Sequence, residues 1–157
     1  MSGQGAPDLT VDASGMKVAI IAGSWHAKYI DAMVEAAVAS VAAAGASSEL
    51  FHVAGSFELP LAAQAAASHY DAVVCLGVIV RGGTPHFDYV CNAVTDGLTR
   101  VQLDTKTPIG FGVLTVDNEE QAFARSGLPG SSESKGKEAA EAALHLAVAV
   151  QRIAAAQ

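Results

Sequence analysis

Apolar positions along the chain switch repeatedly between a continuous run and a helical period, and the switches set out an order of elements. Residues 17–23 are a short apolar run, expected as a strand. Residues 27–44 follow as a helix, with Ile30, Met33, Val34, Val38 and Val41 at helical spacing, and Gly45 is the expected stop. Residues 50–54 predict a second strand, and Pro60 opens a helix reaching about residue 68, since proline is tolerated in a first turn. The valine-rich run 72–80 has the continuous apolar character of a strand covered on both faces. Beyond a glycine-rich turn, a helix is expected over 85–101, with Tyr89, Ala93, Thr95 and Leu98 at helical intervals and a break at 105–108. Residues 109–116 predict the fourth strand, 118–125 a short helix, 127–132 a polar loop and 134–154 a long closing helix.

Strand and helix alternate without internal repeat or linker. The order predicts a three-layer α/β/α sandwich, with a four-stranded parallel sheet between two helical layers and right-handed crossovers. Residues 1–15 stand apart, with Gly3, Gly5, Pro7 and Gly15 and no periodicity; they are expected as an irregular arm, mobile in isolation, ahead of a single domain over 16–157.

Composition narrows the function classes. The 157 residues suffice for a real core. Hydrophobic residues make up 51% and charged ones 16%, apolar enough to leave room for a subunit interface, although alanine supplies much of the excess. A net charge of −7 and the lack of a basic stripe argue against an unspecific nucleic-acid binder, so any anion site must be local. Apolar stretches are interrupted too early to span a bilayer, and the first fifteen residues hold Asp8 and Asp12 but no Lys or Arg, unlike a signal or transit peptide. A soluble cytoplasmic protein with no membrane partner is expected. Cys75 and Cys91, sixteen positions apart, lack the paired spacing of a zinc or redox motif and are expected as buried free thiols. No metal is expected.

The chemistry concentrates in Gly77-Val78-Ile79-Val80-Arg81-Gly82-Gly83-Thr84-Pro85-His86-Phe87-Asp88-Tyr89-Val90, where a strand runs into a glycine turn and a helix start. Backbone N–H groups of Gly83 and Thr84, with the amides and dipole of the new helix, suit a phosphate. His86 falls in the first helical turn, and histidine titrates nearest neutrality. The same residues also suit a plain strand-to-helix turn with Thr84 as N-cap and Pro85 at the first helical position. Parallel sheets bind ligands beyond the carboxyl ends of their strands. Trp25 follows the first strand, Ser56, Phe57 and Glu58 the second, and Gly83, Thr84 and His86 the third. Alone, Trp25 could cover the core and Glu58 could be a solvated carboxylate; their shared edge favours a site.

The run 77–90 resembles the signature of the lumazine synthase family, and similar features recur in order at Gly23-Ser24-Trp25, Val53-Ala54-Gly55-Ser56-Phe57-Glu58-Leu59-Pro60, Asn118-Glu119-Glu120-Gln121-Ala122, Arg125-Ser126-Gly127 and Lys135-Gly136. The resemblance implies a flavodoxin-like sandwich that condenses 5-amino-6-ribitylamino-uracil with 3,4-dihydroxy-2-butanone 4-phosphate. The products are 6,7-dimethyl-8-ribityllumazine, phosphate and water, in the penultimate step of riboflavin biosynthesis. Because the substrate amine attacks the ketone, neither a cofactor nor a protein nucleophile is implied.

By the same resemblance, Trp25 stacks on the pyrimidine, Ser56 and Phe57 meet it through backbone groups, and Glu58 bonds ribityl hydroxyls. Val78, Ile79 and Val80 lie beside the ring. Gly83 and Thr84 cradle phosphate with Arg125, Lys135 adds positive charge, Phe111 walls the ring site, and His86 moves the proton. Phe111, Arg125 and Lys135 are implied to reach a neighbouring subunit's site, which makes the protein a homo-oligomer. The loop 127–134 is longer than the compact glycine- and lysine-containing turn of shell-forming members, which favours a pentamer over a decamer or a sixty-subunit shell. Riboflavin synthase is a further partner suggested by the family.

Lys137 competes with Lys135, although the Lys-Gly pair points to Lys135. Gly83 departs from the larger residues common at its position, leaving only its backbone to act. His26 is expected to face solvent, and His52, His69 and His145 lack ligand-like spacing. A flavin carrier is disfavoured because Gly23-Ser24-Trp25-His26-Ala27-Lys28 lacks a hydroxyl-rich phosphate loop. A scaffold without catalysis would not demand His86, Arg125 and Lys135 together.

Overall fold

The computed structural model describes residues 5–156. Four parallel strands, β1 (Lys17–Ala22), β2 (Ser47–His52), β3 (Ala72–Val80) and β4 (Ile109–Val116), form one sheet in the order β2-β1-β3-β4. Helices α1 (Ala27–Ala43), α2 (Leu59–Ala67), α3 (His86–Thr105), α4 (Glu119–Arg125) and α5 (Lys135–Ala155) connect and close it, with a 3₁₀ turn at Ser56–Glu58 before α2. Alternation along the strands divides the core into two layers. Val18, Ile20, Val74, Leu76 and Leu114 meet Ile30, Met33, Val41, Ala140 and Leu144 of α1 and α5 on one face. On the other, Ala19, Ile21, Val73, Cys75 and Val113 meet Leu59, Ala63, Val94 and Leu98 of α2 and α3. Burial on both faces explains why β3 is apolar throughout, and each large side chain so buried contributes roughly 1.5–3 kcal/mol.

The other strand ends follow the expected positions closely, but β2 begins three residues earlier than its apolar run. It is an edge strand, held by backbone pairing from Lys17↔Ser47 to Ala22↔His52, and its side chains are exposed at every position. No hydrophobic signal therefore marks Ser47, Ser48 or Glu49. Helix α3 runs four residues beyond its expected end, to Thr105, and stops at Lys106 in the left-handed region. Its threonines are accommodated because Thr95, Thr99 and Thr105 each donate a hydroxyl hydrogen bond to the carbonyl four residues back. Tyr89 lies outside the packed face, at 74% exposure; Phe87, Val94, Leu98 and Val101 are the buried residues of this helix. Pro85, rather than Thr84, occupies the N-cap, while Thr84 Oγ1 accepts a hydrogen bond from the His86 N–H at 3.4 Å.

Residues 5–15 form no strand or helix, yet their second half is docked. Ala13 is buried and donates its N–H to the Ala44 carbonyl at 2.8 Å, and Val11 packs on the α1–α5 side of the core. The expectation for Gly3 lies outside the described residues. Cys75 is a buried free thiol, as expected, and burial pushes it up to about 12. Cys91 is only half-buried, because it lies off the packed face of α3. Among the described residues, no helix is long and apolar enough to cross a membrane.

Close approach of α5 to α1 fixes the start of α5. A Cβ at Gly136 would lie 2.8 Å from the Cα and carbonyl carbon of Met33, and closer still to its oxygen. Helix propensity alone would favour Gly136→Ala by about 1 kcal/mol. The backbone clash should reverse that sign and destabilise the fold by about 2 kcal/mol, read as a lower denaturant midpoint. A midpoint equal to or above that of the parent would refute the contact.

Candidate active site

The turns after β1 and β2 are locked together beyond the carboxyl edge of the sheet. Ser24 donates its hydroxyl to the Val53 carbonyl at 2.7 Å and its N–H to the Ala54 carbonyl at 3.2 Å, while the Gly23 N–H reaches the Leu76 carbonyl at 2.9 Å. His26 then takes a left-handed conformation, φ 58°, as the chain enters α1. Trp25 is left 69% exposed. Its indole lies against Gly55, where a Cβ would stand 3.0 Å from Cδ1 and 3.1 Å from Nε1. Ser56 is buried against Gly77 of β3, and the 3₁₀ turn leaves Phe57 63% exposed.

These turns and the end of β3 enclose a cleft of about 320 Å³. Trp25, Ser56, Phe57 and Glu58 line it with Val78, Ile79, Val80, Thr84 and His86, so the expected ring side of the site is brought together. The glycine turn is placed slightly differently from expectation. Gly82 lines the cleft, whereas Gly83 is exposed beside it and is not part of the lining. Neither glycine has positive φ, and a Cβ on either would meet nothing within 4 Å. Packing within the described residues therefore does not require them, and both glycines are exposed.

The turn's other end is clamped by Arg81. Its N–H donates to the Val116 carbonyl at 2.8 Å; its guanidinium donates to Asp117 at 2.8 Å, pairs with Asp88 at 3.6 Å and covers the Phe87 ring at 4.4 Å. The hydrogen bond it donates to Asp117 holds the guanidinium above its ordinary pKa. Both pairs are solvent-exposed and well screened, so their main effect is geometric. Besides Gly82, four lining residues were missed by the sequence expectations: His26, Gly55, Phe87 and Val90. Val90 could have been found from its four-residue spacing from His86, whereas Phe87 directly follows His86 and helical spacing does not point to it. His26 is half-buried in the cleft wall instead of facing solvent, because its left-handed turn carries it inward; no sequence signal announced that.

Phe111, Arg125 and Lys135 line a separate hollow of about 180 Å³ along β4, which shares no lining residue with the first. Arg125 ends α4, a helix capped by Asn118, whose side chain accepts the Gln121 N–H at 2.9 Å. Arg125 donates to the Gln121 carbonyl at 3.0 Å, and Lys135 opens α5. Lys137 lies elsewhere, paired with Glu141 at 3.8 Å beside the N-terminal arm. The hollow therefore contains Lys135 and not its competitor. Within one chain, its three expected residues do not meet Trp25 or His86. Among the described residues, no three His, Cys, Asp or Glu side chains gather as metal ligands.

One hollow offers aromatic faces; the other, at the sheet's far edge, offers an exposed phenyl ring and two cations. Together they define a flavodoxin-like α/β sandwich with an aromatic-lined cleft and a separate cationic hollow. Residues 15–151 match the family 6,7-dimethyl-8-ribityllumazine synthase. A protein of that name from Paenarthrobacter aurescens (strain TC1) is 55% identical over 97% of this chain and 99% of its own length. Those from Leifsonia xyli subsp. xyli (strain CTCB07) and Salinispora arenicola (strain CNS-205) are 54% and 56% identical, each over 98% of this chain and over 99% and 94% of their own lengths. The chain belongs to the 6,7-dimethyl-8-ribityllumazine synthase family.

Proposed function

We propose that this chain condenses 5-amino-6-ribitylamino-uracil with 3,4-dihydroxy-2-butanone 4-phosphate to form 6,7-dimethyl-8-ribityllumazine, as a transferase of riboflavin biosynthesis. The observation that carries the residue assignment is the meeting of Trp25, Glu58 and His86 around one cleft that Gly82 also lines. In this reading Trp25 stacks on the pyrimidine, Ser56 and Phe57 hold its edge through backbone groups, and Glu58 accepts ribityl hydroxyls. Val78, Ile79 and Val80 form the floor beside the ring. Thr84, with the amides of Gly82 and Gly83, receives the phosphate.

The chemistry needs alignment and protons more than a protein nucleophile. The amine adds to the ketone and water leaves to give an imine; phosphate is eliminated, and the ribitylamino nitrogen closes the second ring with loss of another water. Holding the reactants in register can contribute roughly 7–11 kcal/mol, whereas a positioned acid–base group adds about 10²–10⁴-fold. His86 serves as that group. No cofactor enters the scheme.

Phe111, Arg125 and Lys135 complete the site from an adjoining copy: Phe111 covers the ring, and the two cations hold phosphate. Large exposed side chains support assembly, with Leu61 and Tyr89 at 74% and Leu103 and Ile153 at 71%. A pentamer is the preferred ring, given the long 127–134 loop. The enzyme is assigned to the cytoplasm, and riboflavin synthase to its set of partners. Purified protein mixed anaerobically with both substrates should form fluorescent lumazine well above an enzyme-free blank. No acceleration by assembled protein would overturn the assignment.

A further inference from the structure

Glu133 stands between the two cations of the β4 hollow. Its Oε2 lies 3.7 Å from Arg125 Nε and its Oε1 lies 3.3 Å from Lys135 Nζ. The Glu133 and Lys135 side chains are only 16% and 13% exposed, so solvent screens their contact weakly. The carboxylate is also held from behind. Glu133 donates its N–H to the Ala124 carbonyl at 2.9 Å, while its own carbonyl accepts the Gly127 N–H at 3.0 Å and the Ser131 hydroxyl at 3.2 Å. A bridge between Ser126 and Ser134 closes the same loop. Buried Oε1 receives no hydrogen bond among the described residues; its approach to Lys135 has ion-pair distance without hydrogen-bond geometry. An incompletely satisfied carboxylate is therefore held against both positive groups.

Charge balance gives this placement a consequence. Arg125 and Lys135 bring two positive charges, while Glu133 and Glu138, the latter 3.3 Å from Lys135, bring two negative ones. Formally, the charges of these four groups cancel. A phosphate must share or take over donors that already face a carboxylate, so its attraction to the two cations is offset by repulsion from Glu133.

We propose that Glu133 is a built-in competitor for phosphate, holding Arg125 and Lys135 in the empty site and weakening their grip on the anion. This rests on the reading of those two cations as phosphate anchors. The device suits a reaction in which one site must capture a phosphate ester and then lose inorganic phosphate. A carboxylate waiting to regain its partners limits retention of the released anion without removing either cation.

Glu133→Gln tests the competition, because it keeps the volume and the loop's backbone bonds while removing the charge. Inorganic phosphate should inhibit the assembled variant at about one-fifth of the concentration needed for the parent, and calorimetry should show correspondingly tighter phosphate binding. A merely structural carboxylate would give the opposite sign, since loosening the loop would weaken phosphate binding. Unchanged or weaker binding in both Glu133→Gln and Glu133→Ala would overturn the proposal. Arg125→Ala separates the two levels: loss of phosphate binding there supports the anchors whatever Glu133 does, whereas parental binding would remove the reading on which the competitor rests.

Discussion

His86→Ala should lower turnover at saturating substrate by about a hundredfold while leaving the KM for the butanone phosphate within about threefold. The small effect on binding follows from where His86 sits. Its side chain is exposed in the cleft, and its backbone N–H, which contacts Thr84, is retained in alanine. Neither the glycine turn nor the Arg81 clamp depends on the imidazole. The lost group is therefore one that moves protons, not one that shapes the site. Because alignment of the two reactants survives, the variant should still exceed the enzyme-free rate by a wide margin. Steady-state kinetics with both substrates varied would decide the matter. A parental kcat would remove His86 from the chemistry, and a rise in KM with unchanged kcat would make it a binding residue.

Much of the fold was legible because burial writes itself into sequence. The limits of β3 and β4 coincide with their apolar runs because inner-facing side chains on both strands are packed by helices. At β2 the same logic fails: an edge strand held from Ser47 onward by main-chain pairing needs no apolar residue to begin. The cleft was legible through motifs after three successive strands. Exchange of Gly83 for Gly82 in its wall was not, because two adjacent glycines differ only in the path of the turn. His26 and Glu133 were hidden for a related reason. Their significance comes from a left-handed backbone step and from a loop pinned to Ala124, neither of which leaves a residue pattern.

Separation of the two hollows leads to a result that no single variant can give. His86→Ala, slowed about a hundredfold, and Arg125→Ala, impaired in capturing the phosphorylated substrate, should together regain about a quarter of parental activity at subsaturating butanone phosphate when dissociated in equal amounts and reassembled. If every site takes His86 from one protomer and Arg125 from the next, it is intact when the first carries the Arg125 lesion and the second the His86 lesion. Random assembly satisfies each condition half the time. The fraction is independent of the number of protomers in the ring, so the test does not presume a pentamer. Without dissociation, the mixed samples should show no gain. Were His86 and Arg125 of one chain to serve the same site, every protomer would carry a lesion within its own site, and no mixture could exceed the average of its components. Recovery would thus join the Trp25–His86 cleft to the Phe111–Arg125–Lys135 hollow across a subunit boundary, and its absence would confine catalysis to the single chain.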